Sequence, residues 1–209
     1  MTRAVRLLGI AACLVLGACA GGAGGSGAAD PSLDRQDFEV TKTAATGGDA
    51  NAQIALADMH RLGVGTPRDV GQAAALYRKP AEQGNPLAQY NLGEAYRSGY
   101  GLPQNLSEAA NWFAKAAARG NPLAQYRLGV LLLKGQGVAL DPAEALLWLT
   151  VAEPRLRAAE TNPSWSGYAP EVKDALARLP SLRAQATKRL RAPELERVRR
   201  DAAAWKPSS

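Results

Sequence analysis

Cysteine and histidine are nearly absent from this chain. Its 209 residues include Cys13 and Cys19, both close to the N-terminus, and the single histidine His60. Because no Cys or His cluster exists, the sequence offers no basis for a zinc or other transition-metal site. From residue 20 onward it has no thiol for a disulfide or for nucleophilic catalysis. We therefore expect no metal and no cofactor.

Motifs for the common hydrolytic chemistries are also missing. The sequence has no Ser-x-x-Lys motif, no histidine-supported triad and no metal cluster. Thirty-six and 72 residues after His60, similar stretches of sequence carry Tyr96 and Leu132 at the matching position. This favours a packing role for His60 over a catalytic or ligand role. We expect that the chain is not an enzyme.

No apolar run is long enough to make a transmembrane helix the favoured interpretation. The segment Leu7 to Leu16 is about ten residues long, whereas a span needs roughly 18 or more. It follows Arg3 and Arg6 and precedes small residues, the pattern of a secretory signal.

The end of this apolar segment carries a short motif. Leu16-Gly17-Ala18-Cys19 resembles the lipobox of bacterial lipoproteins, which predicts a lipoprotein signal peptide over residues 1–18 and a lipidated Cys19. An ordinary cleaved signal is the alternative. The resemblance implies a membrane anchor of several acyl chains, and Ala20, in place of the Asp of inner-membrane lipoproteins, favours the outer membrane facing the periplasm. Residues 19–32 are mostly Gly and Ala, a composition typical of a flexible tether.

An internal repeat dominates the middle of the chain. The segment Gly84 to Tyr90 returns almost unchanged, 36 residues later, as Gly120 to Tyr126, and Gly48 to Gln53 is a degraded third copy. A period of this length indicates a stacked array of similar units. We place three repeats over residues 48–155.

Each copy shows the pattern of two helices. Leucines repeat at 56, 92 and 128 within a helical stripe, which ends at Gly63, Gly99 and Gly135, and polar capping residues then open a second helix at Asp69, Asn105 and Asp141. The predicted core face of the second helix in the middle copy is Ala109, Trp112 and Phe113. The predicted fold class is all-α, an α-solenoid of antiparallel helical hairpins with helical caps.

The middle copy also carries a family resemblance. Its pattern Ala88-x-x-x-Leu92-Gly93-x-x-Tyr96-x-x-Gly99-x-Gly101, followed by Ala109-x-x-Trp112-x-x-Lys115-Ala116-Ala117-x-x-Gly120, resembles a Sel1-like repeat, a relative of the tetratricopeptide repeat. The first copy departs from it at Ala57, Leu76 and Pro80, and the third at Val151. The resemblance implies a non-enzymatic interaction scaffold. The alternative is a hydrolase or binder of β-lactam or peptidoglycan-like substrates, as associated with some cysteine-rich Sel1-type proteins.

Both flanks of the array are predicted to cap it, because a solenoid must hide its terminal apolar faces. Residues 33–47 are interpreted as an N-terminal half-repeat. Residues 156–209 are interpreted as a C-terminal helical cap with a long Pro/Trp loop over 161–170 and helix breaks at Pro180 and Pro193.

Charge is uneven along the chain. Residues 155–209 hold 12 Lys and Arg against 6 Asp and Glu, whereas residues 19–154 hold 11 against 13. The positive charge of the cap suits attraction to anionic lipid or polysaccharide. The alternative is that these charges form an ordinary solvated helix face. We expect no nucleic-acid partner for a secreted, tethered protein.

Two acid–arginine pairs occupy equivalent positions in successive first helices. Asp58 with Arg61 and Glu94 with Arg97 are spaced by three residues, and with Tyr90 and Tyr126 they predict a polar, aromatic ladder on the concave face for a peptide or glycan. Local ion pairs contributing about 0.2–0.5 kcal/mol are the alternative. Trp165 and Tyr168 in the predicted loop either close the cap or offer a contact point.

These features together predict a scaffold in the bacterial cell envelope. It is anchored by lipid at Cys19 and holds a protein or an envelope polymer against its concave face.

Overall fold

The computed structural model describes residues 31–208, and the predicted signal peptide, Cys19 and most of the predicted tether lie outside them. This part of the chain contains nine α-helices, one 3-10 helix and no β-strand. In chain order they are α1 (Pro31–Thr46), α2 (Ala50–Leu62), α3 (Val70–Glu82), α4 (Pro86–Ser98), α5 (Leu106–Ala118), α6 (Pro122–Lys134), α7 (Pro142–Glu160), the 3-10 helix (Pro163–Tyr168), α8 (Ala169–Thr187) and α9 (Ala192–Ala204). The predicted all-α solenoid is confirmed.

The three repeats are three hairpins with the same caps. Helices α2, α4 and α6 are the first helices, and α3, α5 and α7 are the second helices. Asp69, Asn105 and Asp141 accept backbone N–H bonds at the start of the second helices, as predicted. Gly63, Gly99 and Gly135 end the first helices in the left-handed region that favours glycine.

The second glycine of each Gly-x-Gly turn joins one repeat to the unit before it. Gly65, Gly101 and Gly137 have φ values of 68°, 76° and 74°. A Cβ atom on Gly101 would lie 2.2 Å from the carbonyl oxygen of Val70, at the start of α3. The equivalent atom on Gly65 would lie 2.2 Å from the carbonyl oxygen of Asp34 in α1. These turns therefore pack directly on the backbone of the preceding unit.

Within the middle hairpin, a small residue lets the two helices approach closely. A Cβ atom on Gly93 of α4 would lie 2.7 Å from two carbons of the Phe113 ring on α5. Ala109 and Phe113 are fully buried, as predicted. Trp112, predicted with them, is only partly buried, and the ammonium of Lys115 lies 4.0 Å from its ring centroid. The prediction for Trp112 is met only in part, because its side chain packs against the core from the edge.

Helix α1 packs on the first repeat. Phe38 and Ala45 of α1 form a buried cluster with Leu56 and Met59 of α2. The ring of Phe38 meets His60 edge-on, with 5.5 Å between centroids. His60 is thus a packing residue at the junction of α1 and α2.

The C-terminal region is more helical than its prolines suggest. Helix α7 runs through Pro154, and α8 runs through Pro180, so the predicted helix break at Pro180 is wrong. Leu156 lies beyond Pro154 and Ala186 beyond Pro180, and both are fully buried. This packing on the far side of each proline outweighs the lost backbone hydrogen bond.

The chain ends by folding back onto the repeats. Trp205 meets Trp148 of α7 edge-on at 6.0 Å, and the guanidinium of Arg155 lies 4.4 Å from the Trp205 ring centroid. The backbone N–H of Ser208 donates to the carbonyl oxygen of Ala118 at 2.8 Å. The tail therefore ties α9 to both α7 and α5.

None of the helices between residues 31 and 208 is both long and apolar enough to traverse a bilayer.

Candidate functional site

The two predicted acid–arginine pairs form. Arg61 donates from Nε and Nη2 to one oxygen of Asp58 at 3.0 and 2.7 Å. Arg97 donates from Nε and Nη2 to the two oxygens of Glu94 at 3.0 and 2.8 Å. The arginine side chains remain 34% and 36% exposed. They hold their own carboxylates and still present unused N–H groups to solvent.

Each carboxylate has a second partner that sequence reasoning missed. The hydroxyl of Tyr77 on α3 donates to Asp58 at 2.7 Å, and Nε of Arg127 on α6 donates to Glu94 at 2.9 Å. Burial raises the pKa of Tyr77, so its phenol stays a neutral donor. Arg127 occupies the repeat position of Asn91 and not that of Arg97, so repeat spacing alone gave no signal for this contact.

The predicted ladder of exposed tyrosines does not form. Tyr90 and Tyr126 are 2% and 3% exposed. The ring of Tyr90 lies between Phe113 and Tyr168, with both centroid distances 6.0 Å. Burial raises the pKa of Tyr90 and of Tyr126, so both rings belong to the neutral interior. The reason is that first helices of a solenoid pack on several neighbours, which leaves little of their surface free.

The pairs also stop after the second repeat. The third repeat carries Val130 and Leu133 at the positions of Glu94 and Arg97. Leu133 is buried, and its carbonyl oxygen accepts a bond from Arg189 of the C-terminal cap at 3.1 Å. The cap covers this part of the array, and the polar positions belong to the first two repeats alone.

Tyr168 and Trp165 close the cap onto the second repeat. The predicted long loop is a 3-10 helix, and Tyr168 at its end is 8% exposed. The amide of Asn91 donates to the Tyr168 hydroxyl at 2.7 Å, and that hydroxyl lies 3.1 Å from the amide oxygen of Asn91. Trp165 packs edge-on against Tyr168 at 5.9 Å. Of the two interpretations of this aromatic pair, the structure favours packing.

These elements enclose a cleft with a volume of about 340 Å³. Its lining comes from the C-terminal end of α2, the first half of α3, most of α4, the turns that follow α2 and α4, and the start of the cap. Of the predicted site residues, Arg61, Tyr90, Glu94, Arg97 and Tyr168 line this cleft. Asp58 is not in the lining but is bonded to two residues that are, Arg61 and Tyr77. Tyr126 and Trp165 lie outside the lining. Residues that sequence reasoning missed include Arg68, Asn91, Tyr100 and Glu171.

The Tyr168–Asn91 contact yields a prediction. Tyr168→Phe should destabilise the fold by about 1–3 kcal/mol, because it leaves the buried Asn91 amide without its partner. The double variant Asn91→Leu, Tyr168→Phe should recover much of that loss, since apolar groups then replace both partners. Urea unfolding of the three proteins measures this. A Tyr168→Phe protein as stable as the wild type would show that the hydrogen bond does not hold the cap.

No cluster of His, Cys, Asp or Glu in the described segment is arranged to hold a metal ion. The cleft is instead an arginine- and tyrosine-lined surface suited to hydrogen bonding and ion pairing.

A family model for the Sel1 repeat matches residues 50–85, 86–121 and 122–152, one match for each hairpin. The chain is a Sel1 repeat protein. The matched units begin within a residue of the first helices α2, α4 and α6. The family therefore follows from the same spacing that builds the fold.

Two solved structures are similar to this Sel1 repeat protein. One is a Sel1 repeat protein from Oxalobacter formigenes, with a TM-score of 0.53 and 35% identity, over 66% of this chain and 39% of that one. The other is a protective antigen present in uropathogenic Escherichia coli strains that displays an SLR fold, with a TM-score of 0.53 and 30% identity, over 78% of this chain and 36% of that one. This chain thus spans well under half the length of each. A search of curated proteins finds no match.

Sel1 repeat proteins generally mediate protein–protein interactions, and the scaffold is typically non-catalytic.

Proposed function

We propose that this Sel1 repeat protein is a non-enzymatic scaffold that holds another protein in the cleft. The observation that carries the proposal is the pair Arg61 and Arg97, which stand at one repeat position, line one cleft and stay about one-third exposed. Arginine is prominent among the residues that dominate protein interfaces. The cap, through Tyr168, gives the cleft a fixed shape before any partner arrives.

The dimensions of the cleft also support a protein partner. Its volume of about 340 Å³ is at the lower end of the range for small-molecule pockets, roughly 300–1,000 Å³. It is lined by exposed polar side chains as well as buried rings, so it suits a short stretch of a partner chain better than an enclosed apolar ligand. The partner's remaining contacts would then fall on the rim, where Tyr100 is 63% exposed.

A blocking variant tests this function. Ala95 lines the cleft, so Ala95→Trp should fill it, whereas Asn111→Trp places the same side chain on the exposed surface of α5. Partners recovered by affinity purification from detergent-solubilised cells should be retained by Asn111→Trp and lost from Ala95→Trp. Recovery of the same partners by both variants would rule out the cleft as the binding site.

The proposal extends to location. The lipobox-like Leu16 to Cys19 supports lipidation at Cys19 and an anchored scaffold in the bacterial cell envelope, at the outer membrane and facing the periplasm. The Gly- and Ala-rich stretch after Cys19 would place the repeats some distance from the bilayer, on the order of 20 Å from the flexible-chain relation.

Lipidation makes a direct prediction. Cys19→Ser should abolish incorporation of a fatty-acid analogue and leave the protein unprocessed or soluble, because the anchor depends on that thiol. Metabolic labelling followed by immunoprecipitation measures the incorporation, with Cys13→Ser as the matched control. Equal labelling of wild type and Cys19→Ser would contradict the anchor.

A further inference from the structure

The end of the cleft nearest the turns carries excess positive charge. Arg61 and Arg97 lie near the C-terminal ends of α2 and α4, and Arg68 lies on the turn after α2. Asp58 is already bonded by Arg61 and Tyr77, and Glu94 by Arg97 and Arg127. Both carboxylates are therefore engaged, and Glu94 is shared by two cations.

Arg68 adds a cation with no carboxylate of its own within the described residues. Its Nε donates to the carbonyl oxygen of Arg61 at 3.0 Å, and its guanidinium lies 6.0 Å from the ring centroid of Tyr100. A guanidinium has five N–H donors in a fork that matches a carboxylate. Arg68 uses one of these N–H groups in a hydrogen bond within the protein, so this end of the cleft has more hydrogen-bond donors than acceptors.

The side of the cleft formed by the cap carries an unused acceptor. Glu171, at the start of α8, lines the cleft beside Tyr90 and Tyr168. Its Oε2 atom is buried and has no hydrogen-bond partner in the described part of the protein. A buried carboxylate oxygen needs a donor, and an N–H group from a bound chain would supply one.

The extent of the cleft along α4 sets the length of the occupant. The cleft follows α4 from Tyr90 to Ser98, a length of about 12 Å at 1.5 Å per helical residue. An extended chain rises about 3.3 Å per residue, so about four residues cover this distance.

We infer that the cleft recognises an extended partner segment of about four residues with an acidic side chain at one end. Its carboxylate pairs with Arg61, Arg97 and Arg68, and a backbone N–H at its other end donates to Glu171. This inference rests on the proposed function and specifies the chemistry of the partner. The acid requirement follows from the charges of the cleft, because the engaged Asp58 and Glu94 leave arginine donors free.

A microarray of random nonapeptides tests the inference, probed with the labelled full chain purified in detergent. Peptides bound by the wild type should be enriched in Asp and Glu over the array average. Binding to them should fall at least about tenfold in Arg61→Gln, Arg97→Gln, since charge-assisted hydrogen bonds are lost. The matched control is Arg199→Gln, Arg200→Gln on the exposed face of α9, which should bind like the wild type.

Two further variants keep the result interpretable. Arg68→Gln removes a cation but keeps a side chain that can donate to the Arg61 carbonyl oxygen, as Gln104 donates to that of Arg97 at the equivalent position of the next repeat, so the fold should be retained. This variant should also lower binding of the acidic peptides. Glu171→Leu should weaken binding while leaving the preference for acidic residues intact, because it removes the acceptor at the other end.

Several outcomes would overturn the inference: no acidic enrichment, enrichment that survives in both cleft arginine variants, or enrichment that is lost in the α9 control. Peptides without acidic enrichment that are nonetheless lost in Ala95→Trp would leave the proposed function standing. If no peptide needs the cleft for binding, the result would count against both the inference and the proposed function.

Discussion

Gly101→Ala is expected to destabilise the protein by about 2–5 kcal/mol, the sum of a left-handed backbone penalty and of overpacking. Gly101 has a φ of 76°, where side chains are rarely accommodated. A Cβ there would also lie 2.2 Å from the Val70 carbonyl oxygen, and backbone cannot move aside as a flexible side chain can. The second repeat would thus be pushed away from the first.

Gly48→Ala is the matched control for this prediction. Gly48 has a φ of 91°, yet no atom lies within 4 Å of a Cβ built there. The stability lost in Gly48→Ala should be limited to the backbone penalty, about 1–2 kcal/mol. Urea unfolding followed by circular dichroism compares the two variants. Equal losses would show that the close approach at Gly101 is unimportant, and the repeats would then be joined chiefly by side-chain packing.

Phe113→Ala is expected to cost about 3–5 kcal/mol, as for other fully buried aromatic residues. Phe113 is 0% exposed and packs against Gly93 and Tyr90. Gly93 has no side chain that could move into the space, so the cavity should persist. Because each repeat of a solenoid is stabilised by its neighbours, this loss in the middle unit should lower the stability of the whole array.

Trp112→Ala provides the comparison. Trp112 is larger than Phe113 but only partly buried, and it contacts the ammonium of Lys115. A loss of about 1–2 kcal/mol is expected, which includes about 0.5–1 kcal/mol for the cation–π contact. Differential scanning calorimetry of the two variants would rank them. A larger loss for Trp112→Ala would mean that the core of the middle hairpin is centred on the indole.

The features that were predictable from the sequence are those that depend on local chemistry. Left-handed glycines such as Gly99 and capping residues such as Asn105 act within a few positions of themselves, so a spacing of 36 residues was sufficient to place every hairpin. The proline at 180 was misjudged for the opposite reason. Its local cost is real, but packing of distant parts of the chain on Ala186 decides the outcome.

The candidate site was only half predictable. The pairs Asp58–Arg61 and Glu94–Arg97 are local and were found from spacing. The contact of Tyr168 with Asn91 joins residues 77 apart, and no repeat relates the cap to the array. Helical periodicity also could not show that Tyr90 is covered, because that depends on where the cap folds.

The central claim is that the cleft contacts the partner in the cell, and site-specific photo-crosslinking tests it most directly. A photoreactive amino acid is placed at Tyr100, on the exposed rim of the cleft, or at Asn111, on α5 outside it. Irradiation of intact cells should give a discrete protein adduct from position 100 that is absent from position 111 and abolished by Ala95→Trp. Adducts that are the same from both positions, or no adduct from position 100, would contradict the account.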